Sequence, residues 1–285
     1  MFNFFANIFG YILNFLYNLV NNYGLAIILF TLLIKIIMLP LSIKQQKTLK
    51  KSSELQEKMK ILQFKYKNDP EQLNREVMSL YKEEKMNPFS GCFSAIVQFV
   101  LIISIFYLVK SPLTYMKKIE KPVLDNYISQ IQQEGKQISD FYPEIDIIRE
   151  KWKENEDVKI NMDFLGLDLS KIPQQNINDY TVYILPALYI ISSFISIRMT
   201  TAMTNKNKQD KKLLSSSSEE VKEEINEVDT IMQTNKMMSW LMPIMSISIA
   251  FVAPLGLALY WLINNLLMIV ERIVLNYIMK KEESV

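Results

Sequence analysis

The chain has 285 residues, 49% of them hydrophobic, with a net charge of +2, six glycines, one cysteine and no histidine. The lack of histidine excludes Ser-His-Asp and Cys-His catalysis and histidine-ligated metal sites, and the single Cys92 excludes an internal disulfide. Neither of the glycine-rich phosphate-binding motifs, G-x-x-x-x-G-K-[ST] and G-x-G-x-x-G, occurs in the chain. We therefore expect no enzyme, no metal site and no cofactor.

Hydrophobic residues are concentrated in long stretches, which the mean hydropathy of +0.08 conceals. The near-continuous apolar stretches are Leu25–Ile43, Phe89–Val109, Tyr180–Ile197, Met237–Phe251 and Leu255–Val270. Because a helix needs about 20 predominantly apolar residues to cross a bilayer, these stretches predict an all-α polytopic membrane protein with five transmembrane helices.

The first 23 residues contain no charged side chain. Asn3, Asn7, Asn14 and Asn18 fall on one face of a helix, and apolar side chains, many of them aromatic, occupy the rest of the wheel. This pattern favours an amphipathic helix that lies in the membrane interface. A sixth span and an uncleaved signal sequence are the alternatives.

The charges between the apolar stretches predict the orientation of the chain. Segment 44–87 carries eleven basic and seven acidic residues, whereas segment 111–179 carries nine and thirteen. Basic residues such as Lys44 and Arg198 also follow the first and third stretches closely. Because positive charge marks cytoplasmic segments, we expect the N-terminus outside and the C-terminus in the cytoplasm.

Segment 44–87 is typical of a helical hairpin. Asn68-Asp69-Pro70 interrupts two helical patterns, and proline suits the first turn of a new helix. Five lysines line one face of the first arm: Lys44, Lys47, Lys51, Lys58 and Lys65. Two interpretations of this lysine row stay open, a solvated surface near anionic lipid and a docking surface for a ribosome or a targeting factor.

These patterns divide the chain into segments whose boundaries follow from hydropathy and charge. They are an interfacial helix (1–23), a first span (24–43), the cytoplasmic hairpin (44–87), a second span (88–110), an extracellular loop with short helices (111–179), a third span (180–198), a mobile cytoplasmic loop (199–236), a fourth span (237–252), a fifth span (255–277) and a cytoplasmic tail (278–285).

Lys35 is predicted to be the one charge well inside a span, about 15 Å of helix from the outer end. A lysine at a helix centre costs about 2.5–3.5 kcal/mol on insertion scales, so its position needs a physical reason. One explanation is a side chain that extends back to the interface, and the other is a wet internal cavity. No carboxylate or histidine lies near Lys35 in the sequence, so we expect no catalytic pair.

Polar and amphipathic side chains in the spans favour the cavity, although serine and threonine often bond only to their own helix. An amide in hydrocarbon needs partners, which makes Gln98 the strongest of them. The candidates are Thr31, Gln98, Ser192, Ser193, Ser196, Trp261, Asn264 and Asn265.

A series of short motifs runs through the chain in a specific order. They are Gly24–Ile28, Met38–Leu41, Gln45, Lys58-Met59, Lys65–Lys67, Leu80-Tyr81, Asn87-Pro88, Gly91-Cys92, Gln98, Phe164–Leu169, Ile184–Pro186, Met242–Met245 and Pro254–Trp261. In this order they resemble the YidC/Oxa/Alb membrane protein insertases, in the five-span form found in Gram-positive bacteria. The resemblance extends from about Tyr23 to Tyr277.

The resemblance implies five transmembrane helices around a hydrophilic groove that is open to the cytoplasm and to lipid and closed on the outside. It implies insertion and folding of nascent membrane proteins in a bacterial plasma membrane, alone or with the Sec translocon. The family's intramembrane cation falls on Lys35, its polar groove position in the third span near Ser196, and its aromatic residue in the last span on Trp261. The implied partners are nascent chains and lipid, with the Sec translocon, the ribosome and the signal-recognition machinery left open. No cofactor and no nucleic-acid site are implied.

Two departures from the family pattern bear on the groove. The family usually has arginine where this chain has Lys35, and lysine lacks the bidentate guanidinium fork. The second span reads Cys92-Phe93-Ser94 and Gln98-Phe99-Val100 where the family tends to have proline in both places, so we expect a straighter helix.

Three rival functions remain at the level of sequence. A solute transporter or channel would need a through-pathway, usually with inverted repeats, and we find no internal repeat. An intramembrane hydrolase would have only Ser-Lys chemistry. A structural scaffold would leave Lys35 unexplained.

Overall fold

The structure, a computed structural model, describes residues 2–84, 90–212 and 248–283. Helices dominate these ranges, and one antiparallel hairpin pairs β1 (Asp163–Phe164) with β2 (Leu167–Asp168). The helices are α1 (Phe2–Val20), α2 (Tyr23–Lys65), α3 (Pro70–Glu83), α4 (Ser90–Lys110), α5 (Pro112–Tyr115), α6 (Lys121–Gln133), α7 (Pro143–Lys151), α8 (Ile184–Lys212), α9 (described over 248–252) and α10 (Leu255–Glu283).

Three of the described helices contain stretches long and apolar enough to cross a membrane, namely Tyr23–Thr48, Tyr180–Met199 and Leu255–Ile278. Less than half of each stretch is buried inside the molecule, which leaves surface for contact with lipid. The predicted all-α polytopic membrane class is therefore confirmed. The described part of α4 adds a shorter apolar stretch, Phe99–Lys110.

Two predicted segments lie largely outside the described residues. The fourth span, 237–252, is described only from residue 248 onward. The loop 199–236 begins inside α8, which continues to Lys212, and residues 213–236 are outside the described ranges.

The first span and the first arm of the hairpin form one uninterrupted helix. α2 has 43 residues, which corresponds to about 65 Å, and Pro40 lies within it. Asp69 caps α3 by accepting from the Gln72 N–H at 3.0 Å. α3 folds back on α2, where the Tyr81 hydroxyl donates to the Met59 sulfur at 3.7 Å and Lys58 pairs with Glu84.

α1 is apolar on two faces. One face packs into the core through Ala6, Phe9, Leu13 and Tyr17, and the Phe9 ring lies 5.7 Å from the Phe30 ring of α2. The other face is an exposed stripe with the spacing of a helix face, formed by Phe4, Ile8, Tyr11, Phe15 and Leu19.

The segment between α4 and α8 supplies hydrogen-bond acceptors for the first backbone N–H groups of α2 and α10. The Asn161 carbonyl accepts from the Tyr23 N–H at 2.9 Å, and the Lys171 carbonyl accepts from the Leu255 N–H at 2.9 Å. The first N–H groups of a helix have no partner within the helix, and lipid offers none. α2 and α10 therefore start from the same segment, and we name residues 161–179 the helix-start cap.

An ion pair contributes to the structure of the helix-start cap. The Lys171 ammonium donates to Asp179 at 2.7 Å, and Asp179 also accepts from the Thr181 N–H at 3.0 Å, just before α8. The bond with Lys171 and then those with Thr181 lower the pKa of Asp179 from 3.8 to about 2. The carboxylate thus links the start of α10 to the turn Tyr180–Tyr183 that leads into α8.

Candidate functional site

A pocket lies between α2, α4 and α10. The space between these helices is about 610 Å³ when the open solvent at the mouth is counted. α4 lines it with aliphatic side chains, whereas α2 and α10 supply the polar groups. These are Thr31, Lys35, Ser42 and Gln45 from α2, and Tyr260 and Asn264 from α10.

On the α2 side of the pocket, polar side chains form a stripe that also includes Met38 and is flanked by Ile34 and Leu41. Thr31, Lys35, Met38, Ser42 and Gln45 all line the pocket, and their spacing puts them on one helix face. From Thr31 to Gln45 the stripe covers about 21 Å of helix. It therefore runs from the middle of the predicted first span to the end that joins the hairpin.

Towards the start of α2, apolar packing replaces the stripe. Ile27 and Phe30 are almost fully buried, as are Ile105 and Leu108 at the far end of α4. The Thr31 hydroxyl is also buried and donates to the Ile27 carbonyl at 2.6 Å, so it is satisfied by its own helix. Polar groups of the stripe are thus separated from the helix-start cap by packed side chains.

Lys35 forms an ion pair with Glu271 of α10. The Lys35 ammonium lies 3.2 Å from the Glu271 carboxylate. Lys35 is the thirteenth of 26 residues in its candidate span, and Glu271 lies inside Leu255–Ile278. The prediction that Lys35 is the one charge well inside a span is therefore wrong. The physical reason is that two opposite charges in apolar surroundings compensate each other, so a span tolerates both.

α8 and α10 are joined by side-chain hydrogen bonds. The buried Asn265 amide donates to the Ser192 hydroxyl at 3.0 Å and to the Ser193 hydroxyl at 3.2 Å. One turn closer to the end of α8, the Arg272 guanidinium donates to the carbonyl and the hydroxyl of Ser196 at 3.4 Å each.

The predicted groove residues divide between these two places. Thr31, Lys35 and Asn264 line the pocket together. Ser196 lies in the contact between α8 and α10, and the Trp261 ring lies 5.8 Å from the Tyr189 ring of α8. Gln98 lies on α4, and its side chain is outside the described residues.

Sequence reasoning missed Ser42, Tyr260 and Glu271, and it used Gln45 only as a motif residue. Ser42 and Gln45 follow Lys35 at seven and ten residues, so the helical period that links Thr31 to Lys35 would have found them. The signal for Glu271 was a Glu-Arg pair inside the predicted fifth span.

The lysines predicted to dock a partner follow α2 beyond the pocket. Lys44, Lys47, Lys58 and Lys65 are exposed, and the Lys51 side chain is outside the described residues. Lys58 is engaged with Glu84, and the Lys65 ammonium lies 5.0 Å from the centre of the Tyr66 ring. Part of this row therefore stabilises the hairpin.

The side chains at the pocket are suited to the recognition of polar groups. In the described part of the chain, no group of three or more His, Cys, Asp or Glu is arranged to hold a metal ion. The pocket is lined by one ammonium, three hydroxyls and two amides among aliphatic side chains. The Glu271 carboxylate lies 3.2 Å from the ammonium. Such groups can bind polar or charged chain segments.

Comparison with known proteins identifies the family. A family model described as "60Kd inner membrane protein" matches residues 15–282. The chain belongs to this family. It is the YidC/Oxa family that the sequence motifs resemble, so that prediction is confirmed.

Curated relatives of the chain carry the name "Membrane protein insertase YidC". Those of Francisella tularensis subsp. novicida (strain U112), subsp. tularensis (strain SCHU S4 / Schu 4) and subsp. holarctica (strain LVS) are each 45% identical to the chain over 107 residues. The match covers 38% of this chain and 19% of each relative, so the chain matches about a fifth of the length of these relatives.

Proposed function

We propose that this protein is a membrane protein insertase and membrane chaperone of a bacterial plasma membrane. The observation that carries the proposal is the polar pocket around Lys35, which lies inside helices that are otherwise apolar. Its clients are nascent membrane proteins, and its relatives are named insertases. The reaction is a transfer of chain between water and lipid, with no catalytic step and no cofactor.

The pocket is the inner part of a hydrophilic groove that opens to the cytoplasm and to lipid. The polar stripe on α2 supports this assignment, because it points towards the hairpin and ends at packed residues on the other side. The groove is formed by five spans, those described as α2, α4, α8 and α10 together with the predicted fourth span 237–252. α1 lies in the outer interface, with its exposed apolar stripe towards lipid.

Insertion begins when Lys35 attracts acidic residues in the polar outer segment of a client. An ammonium in apolar surroundings binds a carboxylate more strongly than it does in water. The apolar stretch that follows in the client then slides into lipid along the open side of the groove. Burial of its apolar surface drives this step at about 25 cal/mol per Å².

The remaining partners belong to the cytoplasmic side. The exposed lysines of the hairpin, Lys44, Lys47 and Lys65 among them, are suited to anionic lipid, a ribosome or a targeting factor. The Sec translocon is a further partner for clients with several spans.

Lys35 variants test the function. We expect Lys35→Ala to lower insertion of a client with an acidic outer segment into proteoliposomes by about tenfold, and Lys35→Arg to retain it, because arginine keeps the charge. Lys121→Ala, at an exposed position of α6, is the control and should insert the client normally. Normal insertion of this client by Lys35→Ala would contradict charge capture.

Two further measurements separate this function from its rivals. A photoreactive residue at position 35 should crosslink to stalled nascent chains. Flux of small solutes into the same proteoliposomes would instead support a transporter, which the packed residues Ile27 and Phe30 disfavour.

A further inference from the structure

The ion pair between Lys35 and Glu271 changes what the groove presents to a client. The two side chains are 20% and 13% exposed, and their charged atoms are 3.2 Å apart. α2 and α10 both start at the helix-start cap, and the pair joins them at the level of the pocket. A client that enters the pocket therefore meets a neutralised lysine, not a free cation.

The carboxylate of Glu271 is the same chemical group as the acidic side chain of a client. Both groups accept hydrogen bonds from the ammonium of Lys35, which has three donors and no acceptor. In partly buried surroundings, a charge that loses its partner is strongly unfavourable. A client carboxylate that draws Lys35 away thus leaves Glu271 without a partner, unless the client also supplies a cation.

We propose that Glu271 determines which clients the groove accepts, a role that rests on the insertase function proposed above. In the absence of a client, Glu271 is paired with Lys35. A client carboxylate displaces it, and the released Glu271 carboxylate accepts a basic side chain of the same client. The preferred clients carry an acidic and a basic residue close together in the outer segment. Purely acidic clients are inserted less well, because they must separate the pair without replacing both charges.

The test compares three clients that differ at two positions of the outer segment. One client carries two Asp, one carries an Asp and a Lys, and the neutral one carries two Asn. Full-length wild type, Glu271→Gln, Glu271→Asp and the control Glu120→Gln are reconstituted in proteoliposomes at equal density. Glu120 is an exposed carboxylate at the start of α6.

For Glu271→Gln we expect the ratio of insertion of the two-Asp client to that of the neutral client to rise about fivefold. A change of this size corresponds to the free energy of a partly exposed ion pair. Insertion of the Asp-Lys client should fall towards that of the neutral client. Glu271→Asp and Glu120→Gln should keep the wild-type order of the three clients. An unchanged or lower ratio for the two-Asp client with Glu271→Gln would overturn the proposal.

The double variant Lys35→Gln/Glu271→Gln covers the case in which Glu271→Gln folds poorly, because it removes both charges and leaves neither alone. It should insert the three clients equally, and a retained preference for the Asp-Lys client would also overturn the proposal. The insertase function fails by a different result, namely that wild type inserts none of the three.

Discussion

Gly10 lies where α1 packs directly against the backbone of α5. A Cβ atom at this position would lie 1.9 Å from the carbonyl oxygen of Tyr115, which is backbone and cannot rotate away. Tyr115 is fixed in turn, since it lies in α5 and its hydroxyl donates to Asn3 at 3.2 Å. The small size of glycine therefore permits this docking of α1.

We predict that Gly10→Ala destabilises the protein by about 1–3 kcal/mol, the usual cost of overpacking a tight contact. At an exposed helix position the same substitution would stabilise the protein by about 1 kcal/mol. The sign of the measured change in stability therefore distinguishes the two situations. Thermal unfolding in detergent measures the effect. Asn18→Ala, at an exposed position of the same helix, should leave stability nearly unchanged. A Gly10→Ala variant as stable as wild type would mean that α1 is not packed this closely.

At the residue scale, the sequence identified Lys35 but not its partner. Insertion energetics mark a lysine in an apolar stretch as unusual whatever surrounds it. Glu271 lies 236 residues further along the chain, and no local pattern links the two positions. The same holds for Gly10, whose constraint comes from a carbonyl more than a hundred residues away.

At the element scale, α8 and α10 are held by the amide of Asn265. In lipid the hydrophobic effect does not drive two helices together, so interhelical hydrogen bonds and close packing matter more. Asn265 reaches two hydroxyls on α8, those of Ser192 and Ser193, and this fixes the rotation of α10 that points Asn264 into the pocket.

We predict that Asn265→Ala lowers the free energy of unfolding by about 1 kcal/mol, within the range of interhelical hydrogen bonds in membranes. A double-mutant cycle with Ser192→Ala, measured by thermal unfolding in detergent, should return a coupling energy of about 0.5 kcal/mol or more. Ser129→Ala on α6 provides the control partner, for which we expect no coupling with Asn265→Ala. If the losses in free energy of unfolding caused by Asn265→Ala and Ser192→Ala were additive, the hydrogen bond between these two residues would contribute nothing to stability.

The helices themselves follow from hydropathy and from proline and asparagine signals. Asp69 precedes Pro70 at the start of α3, as the sequence pattern predicts. The structure adds that Asn22 caps α2 by accepting from the Leu25 N–H at 3.0 Å. The continuity of α2 through Pro40 was not predictable from hydropathy, because the stretch turns from apolar to charged while the helix continues.

At the scale of the whole molecule, the helix-start cap and the hairpin lie at opposite ends of α2. Tyr23 bonds to Asn161 at one end, and α3 folds back on the other. A chain that crosses the membrane once between these points must present them to opposite sides. The net charges of the two segments are +4 for 44–87 and −4 for 111–179. Because positive charge marks cytoplasmic segments, we propose that the hairpin lies on the cytoplasmic side.

We predict that cysteines introduced into a Cys92→Ser background are labelled from opposite sides of sealed membranes. Asp125→Cys on α6 should react with an impermeant maleimide added outside, whereas Asn74→Cys on α3 should react only after the membrane is opened. Both positions are exposed, which makes them matched reporters. Labelling of both positions from the same side would contradict the proposed topology.

The sequence by itself determined the membrane class, the family and the presence of a costly lysine inside a span, because hydropathy and insertion energies are properties of local composition. The tertiary structure decided which side chains share the pocket with Lys35, that Ser196 and Trp261 belong to the contact between α8 and α10, and that Glu271 neutralises the lysine. These facts depend on the relative rotation of helices, and that rotation is fixed by contacts between residues far apart in the chain.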